Sequence, residues 1–534
     1  MQAAEFKCWF SIFVFAVAAA YSRAASPPNI VVILADDMGY SDIGCFGSEI
    51  HTSALDRLAA EGIRFTQFYN GARCNPTRAS LLTGLHPARA GMAWITEDLG
   101  LPAYLGHLNR RCVTMAEVLR PAGYTTLMAG KWHLGHERGQ WPVDRGFNRY
   151  FGLLHGAGSY WEILPGGSFQ MALDDQYWRP NPNDHDYYLT DAITDRSIEF
   201  IEGAARAGKP FLLYVAYTAP HWPLHARPGD IAKYRGKYRA GWDAARATRY
   251  QRQLELGVID PQWALSPRDG SVPAWSDVPE AERDLWDLRM AVYAAMIDRM
   301  DQGIGRVMAR LELLKQRENT LVMFLSDNGG CHLDPLRDTA GSDPDVPPGP
   351  RGGYWGYGPP WANVSDTPFR KFKQFVHEGG IATPLICSWP GGIKDPGRFN
   401  HQPGQVMDIM ATMLDVAGAS YPAVHAGQAI TPLDGRSFAP VFRGERRSEL
   451  PAMYWEHNGN QAVRVGDWKL VAAQSARHGW ELYDVAADRT ELRDRAADFP
   501  GRVEEMKARY QRWADEVGLV PNEEAKRRRN ERTR

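Results

Sequence analysis

A thiol stands at the start of a short predicted helix in the stretch Cys74-Asn-Pro-Thr-Arg-Ala-Ser-Leu-Leu-Thr-Gly84. Pro76 suits a first helical turn, where its missing N–H costs no hydrogen bond, and Gly84 is a typical residue at which a helix ends. A helix start has free N–H groups and partial positive charge, so an anion would be stabilised over Cys74. Arg78 follows one turn later and is predicted to lie beside the cysteine. The stretch therefore predicts a thiol next to an anion site.

Polar side chains follow four predicted strands directly. They are Asp36 and Asp37 after residues 29–35, Lys131 and His133 after 124–129, His221 after 211–217, and Asp327 and Asn328 after 320–325. The preceding runs are largely apolar, which is typical of strands buried in a parallel sheet. Ligands of such sheets bind beyond the carboxyl ends of the strands. The topology therefore predicts that these side chains share one edge of the sheet, where Cys74 can join them.

Four of these side chains offer only oxygen ligands: Asp36, Asp37, Asp327 and Asn328. Two adjacent carboxylates repel each other unless a cation lies between them. Oxygen ligands suit Ca²⁺ or Mg²⁺, whereas zinc favours histidine and cysteine. The residues therefore predict a hard divalent cation at this sheet edge.

Strands alternate with helices over most of the chain, which predicts an α/β sandwich with a mostly parallel mixed sheet. After a Gly- and Pro-rich stretch near 420–446, short strands around a Gly466-Asp467 turn and a final helix predict a smaller α+β domain with an antiparallel sheet. We therefore divide the chain into an N-terminal domain (26–445), a C-terminal domain (446–520) and a charged tail (521–534) that is predicted to be disordered. Residues 155–187 are predicted to form a long loop.

The net charge gives no sign of a polyanionic partner, and the N-terminal segment predicts export. The 534 residues carry a net charge of -2, which gives no indication of a nucleic-acid partner or of an acidic lipid surface. Residues 1–25 have the pattern of a secretory signal peptide and predict a periplasmic or secreted protein. An uncleaved N-terminal anchor is the alternative. No other stretch is long and apolar enough to span a membrane, so no stable membrane insertion is expected after cleavage.

The cysteines have no close metal-type spacing, and export makes disulfides possible, although this is not the pattern of a disulfide-scaffold protein. There are six: Cys8, Cys45, Cys74, Cys112, Cys331 and Cys387. Cys8 falls in the signal segment and Cys74 in the candidate site, so four remain. These allow three complete pairings, which the sequence cannot rank.

Several motifs together resemble the type I sulfatases, and most closely the bacterial arylsulfatases. They are the Cys74–Gly84 stretch, Gly-Lys131-Trp-His133-Leu-Gly, Asp366-Thr-Pro-Phe-Arg-Lys-Phe-Lys373 and Glu378-Gly-Gly, within a match from about 29 to 515. The resemblance implies an alkaline-phosphatase-like fold. It also implies that a separate maturation enzyme oxidises Cys74 to formylglycine, and that one Ca²⁺ is bound by the four oxygen-ligand residues and the modified residue 74.

The resemblance implies hydrolysis of sulfate monoesters, on aryl sulfates, sulfated carbohydrates or both. Lys131, Lys373 and Arg78 would hold the negative charge that develops during transfer. A hydroxyl of the hydrated formylglycine would attack sulfur, with Asp327 as the candidate base. His221, with Lys373, is the candidate acid for the leaving oxygen. His133 is the candidate base that removes the second hydroxyl's proton, so that sulfate leaves and the aldehyde returns.

Two other functions stay open at this point. One is hydrolysis of phosphonate monoesters or phosphodiesters by an enzyme of the same superfamily, since these esters are close in shape to sulfate esters. The other is a non-catalytic protein that binds sulfated glycans through an unmodified Cys74. The aromatic-rich segments 155–187, 227–283 and 340–365 could form sugar subsites in a carbohydrate sulfatase.

Overall fold

The computed structural model describes residues 27–162, 170–334, 343, 345–474 and 479–532. The predicted signal segment and Cys8 lie outside these ranges. The strands are β1 Asn29–Ala35, β2 Ile63–Tyr69, β3 Thr125–Gly130, β4 Arg149–Leu153, β5 Met171–Leu173, β6 Gln176–Trp178, β7 Phe211–Ala216, β8 Thr320–Ser326, β9 Ala382–Ser388, β10 Arg398–Asn400, β11 Gly404–Gln405, β12 Val424–His425, β13 Gln428–Ala429, β14 Met453–His457, β15 Asn460–Val465, β16 Trp468–Ala472 and β17 Glu481–Asp484. The α-helices are α1 Ser53–Ala60, α2 Cys74–Thr83, α3 Met115–Leu119, α4 Leu189–Ala207, α5 Pro228–Ala232, α6 Gly241–Leu256, α7 Glu280–Leu313, α8 Gly358–Ser365, α9 Glu378–Ile381, α10 Asp408–Ala417, α11 Ala439–Phe442, α12 Pro500–Val517 and α13 Asn522–Arg532.

One large mixed sheet forms the centre of the molecule. Its strand order is β10-β2-β9-β8-β1-β7-β3-β4-β5-β6, and β11 also pairs with β2. The central strands β8, β1, β7, β3 and β4 run parallel to one another, whereas β9 is antiparallel to both β8 and β2, and β5 is antiparallel to β4. The sheet therefore confirms the predicted mostly parallel architecture, and the four strands that precede candidate site residues are adjacent.

Apolar helices cover both faces of this sheet. Alternate side chains of β1, such as Val31 and Val32, point into two separate hydrophobic clusters, and every residue of β1 is buried. One cluster includes side chains of α1, α4 and α7, and the other includes side chains of α2, α3 and α10. Burial of both faces explains the continuous apolar runs in the sequence. Within the described ranges, no helix has the length and apolar character needed to cross a membrane.

The C-terminal part is a four-stranded antiparallel sheet in the order β14-β15-β16-β17, with α12 packed on it. Trp455 and Ala462 pack into the main core, while Val463 and Leu470 join α12 and Trp94 in a third cluster. The antiparallel sheet and its packed helix confirm the predicted fold class.

Two predictions of unstructured segments are wrong. The charged tail is not disordered, because residues 522–532 form α13, in which Glu524 pairs with Arg527 and Arg528 at helical spacing and Ala525 is buried. The 155–187 segment is not all loop, since β5 and β6 add two short antiparallel strands to the edge of the main sheet. Both errors concern elements whose stability comes from contacts with distant parts of the chain.

The described cysteines form no disulfides. Five are free and buried: Cys45, Cys74, Cys112, Cys331 and Cys387. None of the three pairings that the sequence allowed is present among them.

Candidate active site

The carboxyl ends of four neighbouring strands bring the predicted polar side chains together. In the order β8-β1-β7-β3, these strands are in parallel register, with Ala35 opposite Ser326 and Gly130 opposite Ala216. The next residues beyond this edge include Asp327, Asp36 and Lys131, all fully buried. The structure thus places the candidate residues after β1, β3, β7 and β8 at one sheet edge, as the sequence predicts.

Helix α2 presents Cys74 to this edge. Cys74 is the first residue of the helix and is 3% exposed, and all ten residues of α2 are buried. Gly84 ends the helix with φ 70°, and its N–H donates to the carbonyl of Ser80 over 2.8 Å. This left-handed conformation favours glycine, so the predicted helix limits are confirmed.

Two lysines of the site are bound to the adjacent aspartates. The Nζ of Lys131 lies 2.6 Å from Asp36 Oδ2, and the Nζ of Lys373 lies 2.5 Å from Asp37 Oδ1. All four side chains are at most 2% exposed. Each lysine therefore offsets part of the cost of burying a carboxylate and leaves the other carboxylate oxygen free to face the site.

Arg78 holds Asp327 in place. Its Nε and Nη2 donate to Asp327 Oδ2 over 3.1 and 2.8 Å, and its Nη1 donates to the carbonyl of Lys131 over 3.0 Å. The other oxygen of Asp327, Oδ1, accepts from the N–H of Asp37 over 3.2 Å. Both oxygens of Asp327 are thus engaged, which favours a role in holding the site together over the predicted role as base.

The oxygens that remain without donors define a cation site. Asp36 Oδ1, Asp37 Oδ2 and Asn328 Oδ1 are buried and have no hydrogen-bond partner. Ligand atoms of Asp36, Cys74 and Asp327 also lie within 4.8 Å of one another. Buried acceptors without partners are costly unless a cation satisfies them, and this all-oxygen set suits Ca²⁺ or Mg²⁺. The residues therefore fit the predicted divalent cation, and its identity stays a prediction.

The adjacent carboxylates have opposite electrostatic environments. Burial, together with the charge of Asp327, raises the pKa of Asp36 to about 7. Burial also opposes ionisation of Asp37, but the charge of Lys373 and the hydrogen bond from Asn328 hold the pKa of Asp37 below its usual value. A bound divalent cation would relieve the repulsion between these buried carboxylates.

Two histidines face the site from β3 and β7. Burial lowers the pKa of both His133 and His221, so each is neutral near pH 7. The Nδ1 of His221 lies 2.6 Å from the carbonyl of Trp222, so Nδ1 carries the proton and Nε2 faces Asp37 Oδ2 at 3.4 Å. The Nδ1 of His133 is buried without a partner.

Backbone conformation aims two of these residues. Asp37 and His133 have φ of 67° and 60°, in the left-handed region that non-glycine residues seldom adopt. The N–H of His133 donates to the carbonyl of Leu154, and the hydroxyl of Tyr293 donates to the carbonyl of Asp37 over 3.2 Å. Such conformations are concentrated at functional sites, where surrounding contacts maintain them.

Sequence reasoning missed three residues around Cys74 and one glycine. Arg73 is the residue before α2, and its positive charge lowers the pKa of His133, His332 and His457 after the larger effect of burial. Gly156 lies against the ring of His133, and a Cβ added there would be 2.6 Å from Nε2. His457 lies in the Trp455-Glu-His457 sequence of β14, and Arg73 directly precedes the cysteine, so both were within reach of motif analysis.

Comparisons with known proteins agree on one family. The family model described as Sulfatase matches residues 28–419, and a model described as N-sulphoglucosamine sulphohydrolase, C-terminal, matches 369–511. An uncharacterized sulfatase of Schizosaccharomyces pombe is 35% identical over 525 residues, covering 92% of this chain and 94% of that protein. An arylsulfatase of Klebsiella aerogenes is 34% identical over 451 residues, covering 81% and 96%. A solved structure, described as a complex with its substrate D-glucosamine-2-N,6-O-disulfate, has the same fold, with a TM-score of 0.63, 22% identity and coverage of 93% and 100%.

Proposed function

This chain belongs to the sulfatase family and is a sulfuric ester hydrolase, and on that premise we propose that it acts through a formylglycine made from Cys74 and one bound Ca²⁺. The family assignment confirms the resemblance read from the sequence. The modification, the identity of the ion and the substrate are the parts proposed here. Aryl sulfates, sulfated carbohydrates or both are the proposed substrates.

One observation carries this proposal: three buried oxygens without donors surround the residue that the motif marks for modification. Asp36 Oδ1, Asp37 Oδ2 and Asn328 Oδ1 face the same sheet edge as Cys74. Ca²⁺ held by these residues and Asp327 would supply positive charge to sulfuryl oxygens and to an oxygen of residue 74. A formylglycine at residue 74 would supply, as its hydrate, one hydroxyl for attack on sulfur and a second whose deprotonation expels sulfate.

The lysines support charge stabilisation in the transfer step. Lys131 and Lys373 are fixed by Asp36 and Asp37, so their Nζ groups are ordered before substrate enters. Preorganised charge in a water-poor site stabilises a transition state more than mobile charge does. Arg78 acts through Asp327 and the Lys131 backbone, which makes it a positioning residue in this proposal.

The histidines are assigned to proton transfers. His133 is neutral and has an unpartnered Nδ1, so it can accept the proton whose removal releases sulfate. His221, with Lys373, is the proposed donor to the leaving oxygen. The Nε2 of His221 is the ring atom available for this step, because Nδ1 donates a hydrogen bond to the carbonyl of Trp222, and Nε2 can donate only after it has taken up a proton to give the imidazolium.

A maturation enzyme and a location belong to the same proposal. A formylglycine-generating enzyme must act on Cys74, because the thiol offers no second hydroxyl for release of sulfate. Export to the periplasm or out of the cell is proposed from the signal-like pattern of residues 1–25.

The test is to produce the chain with and without a formylglycine-generating enzyme and to measure the mass of the residue-74 peptide. Hydrolysis of 4-nitrophenyl sulfate is measured on the same samples, with Cys74→Ala as the control. We expect an aldehyde at residue 74 and turnover only in the matured wild type. An aldehyde-bearing protein that hydrolyses a phosphonate monoester faster than every sulfate ester would favour the alternative hydrolase instead.

Metal removal tests the cation independently of turnover. Chelation should lower the thermal midpoint by roughly 2–4 °C and abolish hydrolysis, and Ca²⁺ should restore both, because a ligand that binds only the folded state stabilises it. The thermal midpoint of Asp36→Asn should fall less on chelation than that of wild type. An unchanged midpoint in wild type, with activity retained, would exclude the bound ion.

A further inference from the structure

One cation beside Cys74 has no acidic partner. Lys131, Lys373 and Arg78 are each bound to an aspartate of the site. Arg73, in contrast, forms no hydrogen bond or ion pair through its side chain within the described ranges, and its Nε is buried. A partly buried guanidinium without an anion is unfavourable unless a ligand supplies one.

Three histidines and a lysine lie within reach of the charge of Arg73. This charge lowers the pKa of His133, His332 and His457, after burial, and it also opposes the charge of Lys373. Because the Arg73 side chain pairs with no carboxylate of the described residues, this side of the site has a cation that is left for a ligand.

Strand β14 encloses this side of the site. The Nε1 of Trp455 donates to the carbonyl of Asn70 over 3.0 Å, and the Nδ2 of Asn460 donates to the carbonyl of Gln374 over 3.2 Å. These bonds place β14 and the first residue of β15 against the segments that carry Arg73 and Lys373. The C-terminal sheet thus forms one wall beside the arginine.

His457 adds an unsatisfied polar side chain to this wall. It is 0% exposed, and both of its ring nitrogens lack hydrogen-bond partners. The ring of His332 stacks on Phe372, the residue before Lys373, at 4.5 Å between centroids, and its Nδ1 is unpartnered. A buried neutral imidazole offers one donor and one acceptor, so these rings can complete the coordination of an anion held by Arg73.

We propose that Arg73, together with His332 and His457, binds a second anionic group of the substrate, so that the preferred substrate is a sulfated carbohydrate with another sulfate or a carboxylate near the ester. This inference rests on the proposed function, since it assigns the substrate class of that site. The ester's own sulfate is served by Lys131, Lys373 and the bound cation. Arg73 lies on the side toward β14, where a neighbouring group of the sugar would reach.

The test measures inhibition of aryl sulfate hydrolysis by matched sugars, using the matured, Ca²⁺-loaded enzyme. Glucosamine 6-O-sulfate is compared with glucosamine-2-N,6-O-disulfate, and a sulfated uronic acid is compared with the matching neutral sulfated sugar. Wild type should bind each bis-anionic sugar roughly 10- to 100-fold more tightly than its partner, which is the range of a charge-assisted hydrogen bond. The first pair reports on a second sulfate and the second pair on a carboxylate.

Arginine variants decide whether Arg73 is responsible. In each pair where wild type prefers the bis-anionic sugar, Arg73→Gln should reduce the ratio of the two affinities to about one. Arg73→Lys should retain part of the preference. Arg110→Gln, at an exposed arginine outside the site, should keep the wild-type preference. A preference near one in wild type for both pairs would overturn the inference.

If Arg73→Gln lowered the affinity for both sugars of a pair by the same factor, the inference would also be overturned, since that result assigns Arg73 to the ester's own sulfate. Absence of aryl sulfate hydrolysis by matured wild type would instead reject the proposed function. The two failures are therefore distinguishable.

Discussion

At the scale of single residues, the site depends on side chains that are aimed by uncommon backbone conformations. Asp37 and His133 have positive φ directly after buried strands, and neighbouring hydrogen bonds hold both. Left-handed conformations of non-glycine residues cost about 1–3 kcal/mol each. The sequence could predict which residues follow the strands, but it could not predict these conformations, because they depend on contacts with Asp327 and Leu154 far along the chain.

Gly156→Ala should impair catalysis without unfolding the protein. An added Cβ would lie 2.6 Å from Cε1 and Nε2 of His133, so the imidazole must move. We expect kcat/KM for an aryl sulfate to fall at least roughly 10-fold, which is the lower range of a general acid–base contribution. Gly203→Ala, where a Cβ meets no atom within 4 Å, is the matched control. Wild-type kcat/KM in the Gly156 variant would contradict the role of His133.

Glu456 should make stability depend on pH. Burial raises the pKa of Glu456 to about 7, well above its ordinary 4.5, while the N–H of Gly459 opposes this as donor to its carboxylate. Between pH 4.5 and 7 the unfolded chain ionises before the folded one, so this residue's contribution to stability falls as pH rises and stays low above pH 7. Glu456→Gln should therefore exceed wild type in unfolding free energy by roughly 1–3 kcal/mol at pH 8 and by little at pH 4.5.

The comparison requires denaturant titrations at both pH values. Glu504→Gln, at an exposed glutamate of α12, should show no such pH-dependent difference. An equal effect of Glu456→Gln at pH 4.5 and pH 8 would show that packing, and not ionisation, is responsible.

At the scale of elements, a fully buried ionic cluster joins the C-terminal sheet to the segment after Lys373. The Nζ of Lys469, on β16, lies 2.9 Å from Glu378 and 2.8 Å from Glu491, and the Nε of Arg489 lies 2.8 Å from Glu378. All four side chains are 0% exposed. Glu378 stands in a motif, but Lys469, Arg489 and Glu491 look like ordinary surface charges in the sequence, so the cluster could not be predicted before the fold was known.

Lys469→Met should destabilise the protein strongly. It leaves the two buried carboxylates with Arg489 as the one remaining cation of the cluster, and breaking a buried ion pair in this way costs about 3–5 kcal/mol. Denaturant unfolding measures the loss. Lys507→Met, at a lysine of α12 whose side chain is 38% exposed, should change stability by less than about 1 kcal/mol. Equal effects of the two substitutions would show that the cluster adds no net stability.

Elements with a strong local pattern were predictable, and elements that depend on distant partners were not. Strand β8 and helix α2 were found from apolar runs and a helix-ending glycine. Strand β6 has two exposed residues, and α13 is almost entirely charged, so neither has an apolar period. The structure of these segments depends on contacts with other elements, and the local pattern of a single sequence does not indicate those contacts.

At the scale of the whole molecule, the convergence of strand ends was predictable because it follows from parallel topology alone. The contribution of β14 to the same site was not predictable, since His457 lies on β14 and Arg73 directly precedes α2, far away in the sequence. The C-terminal part thus contributes a wall of the candidate site, although its sequence pattern indicated only a separate small domain.

Removal of α13 by truncation after Val520 should lower stability modestly and leave the fold intact. The helix buries Ala525 against the third cluster, and Arg529 and Arg532 pair with Glu97 and Asp98 at partly exposed positions. Exposed pairs contribute about 0–1 kcal/mol each, so a loss of roughly 1–2 kcal/mol is expected, measured by denaturant unfolding. Charge reversal at Lys526, whose ion pair is with Glu523 of the same helix, is the control. Loss of soluble protein on truncation would contradict this view.

The complete burial of α2 has a consequence for the order of events in biosynthesis. Every residue from Cys74 to Thr83 is enclosed by the sheet edge and the helices around it, so a modifying enzyme cannot reach the thiol in the finished fold. If Cys74 is oxidised, the reaction must take place while the chain is still unfolded. The time between synthesis and folding then limits how much active enzyme a cell can make, and a variant that folds faster would lose activity without any change in its final structure.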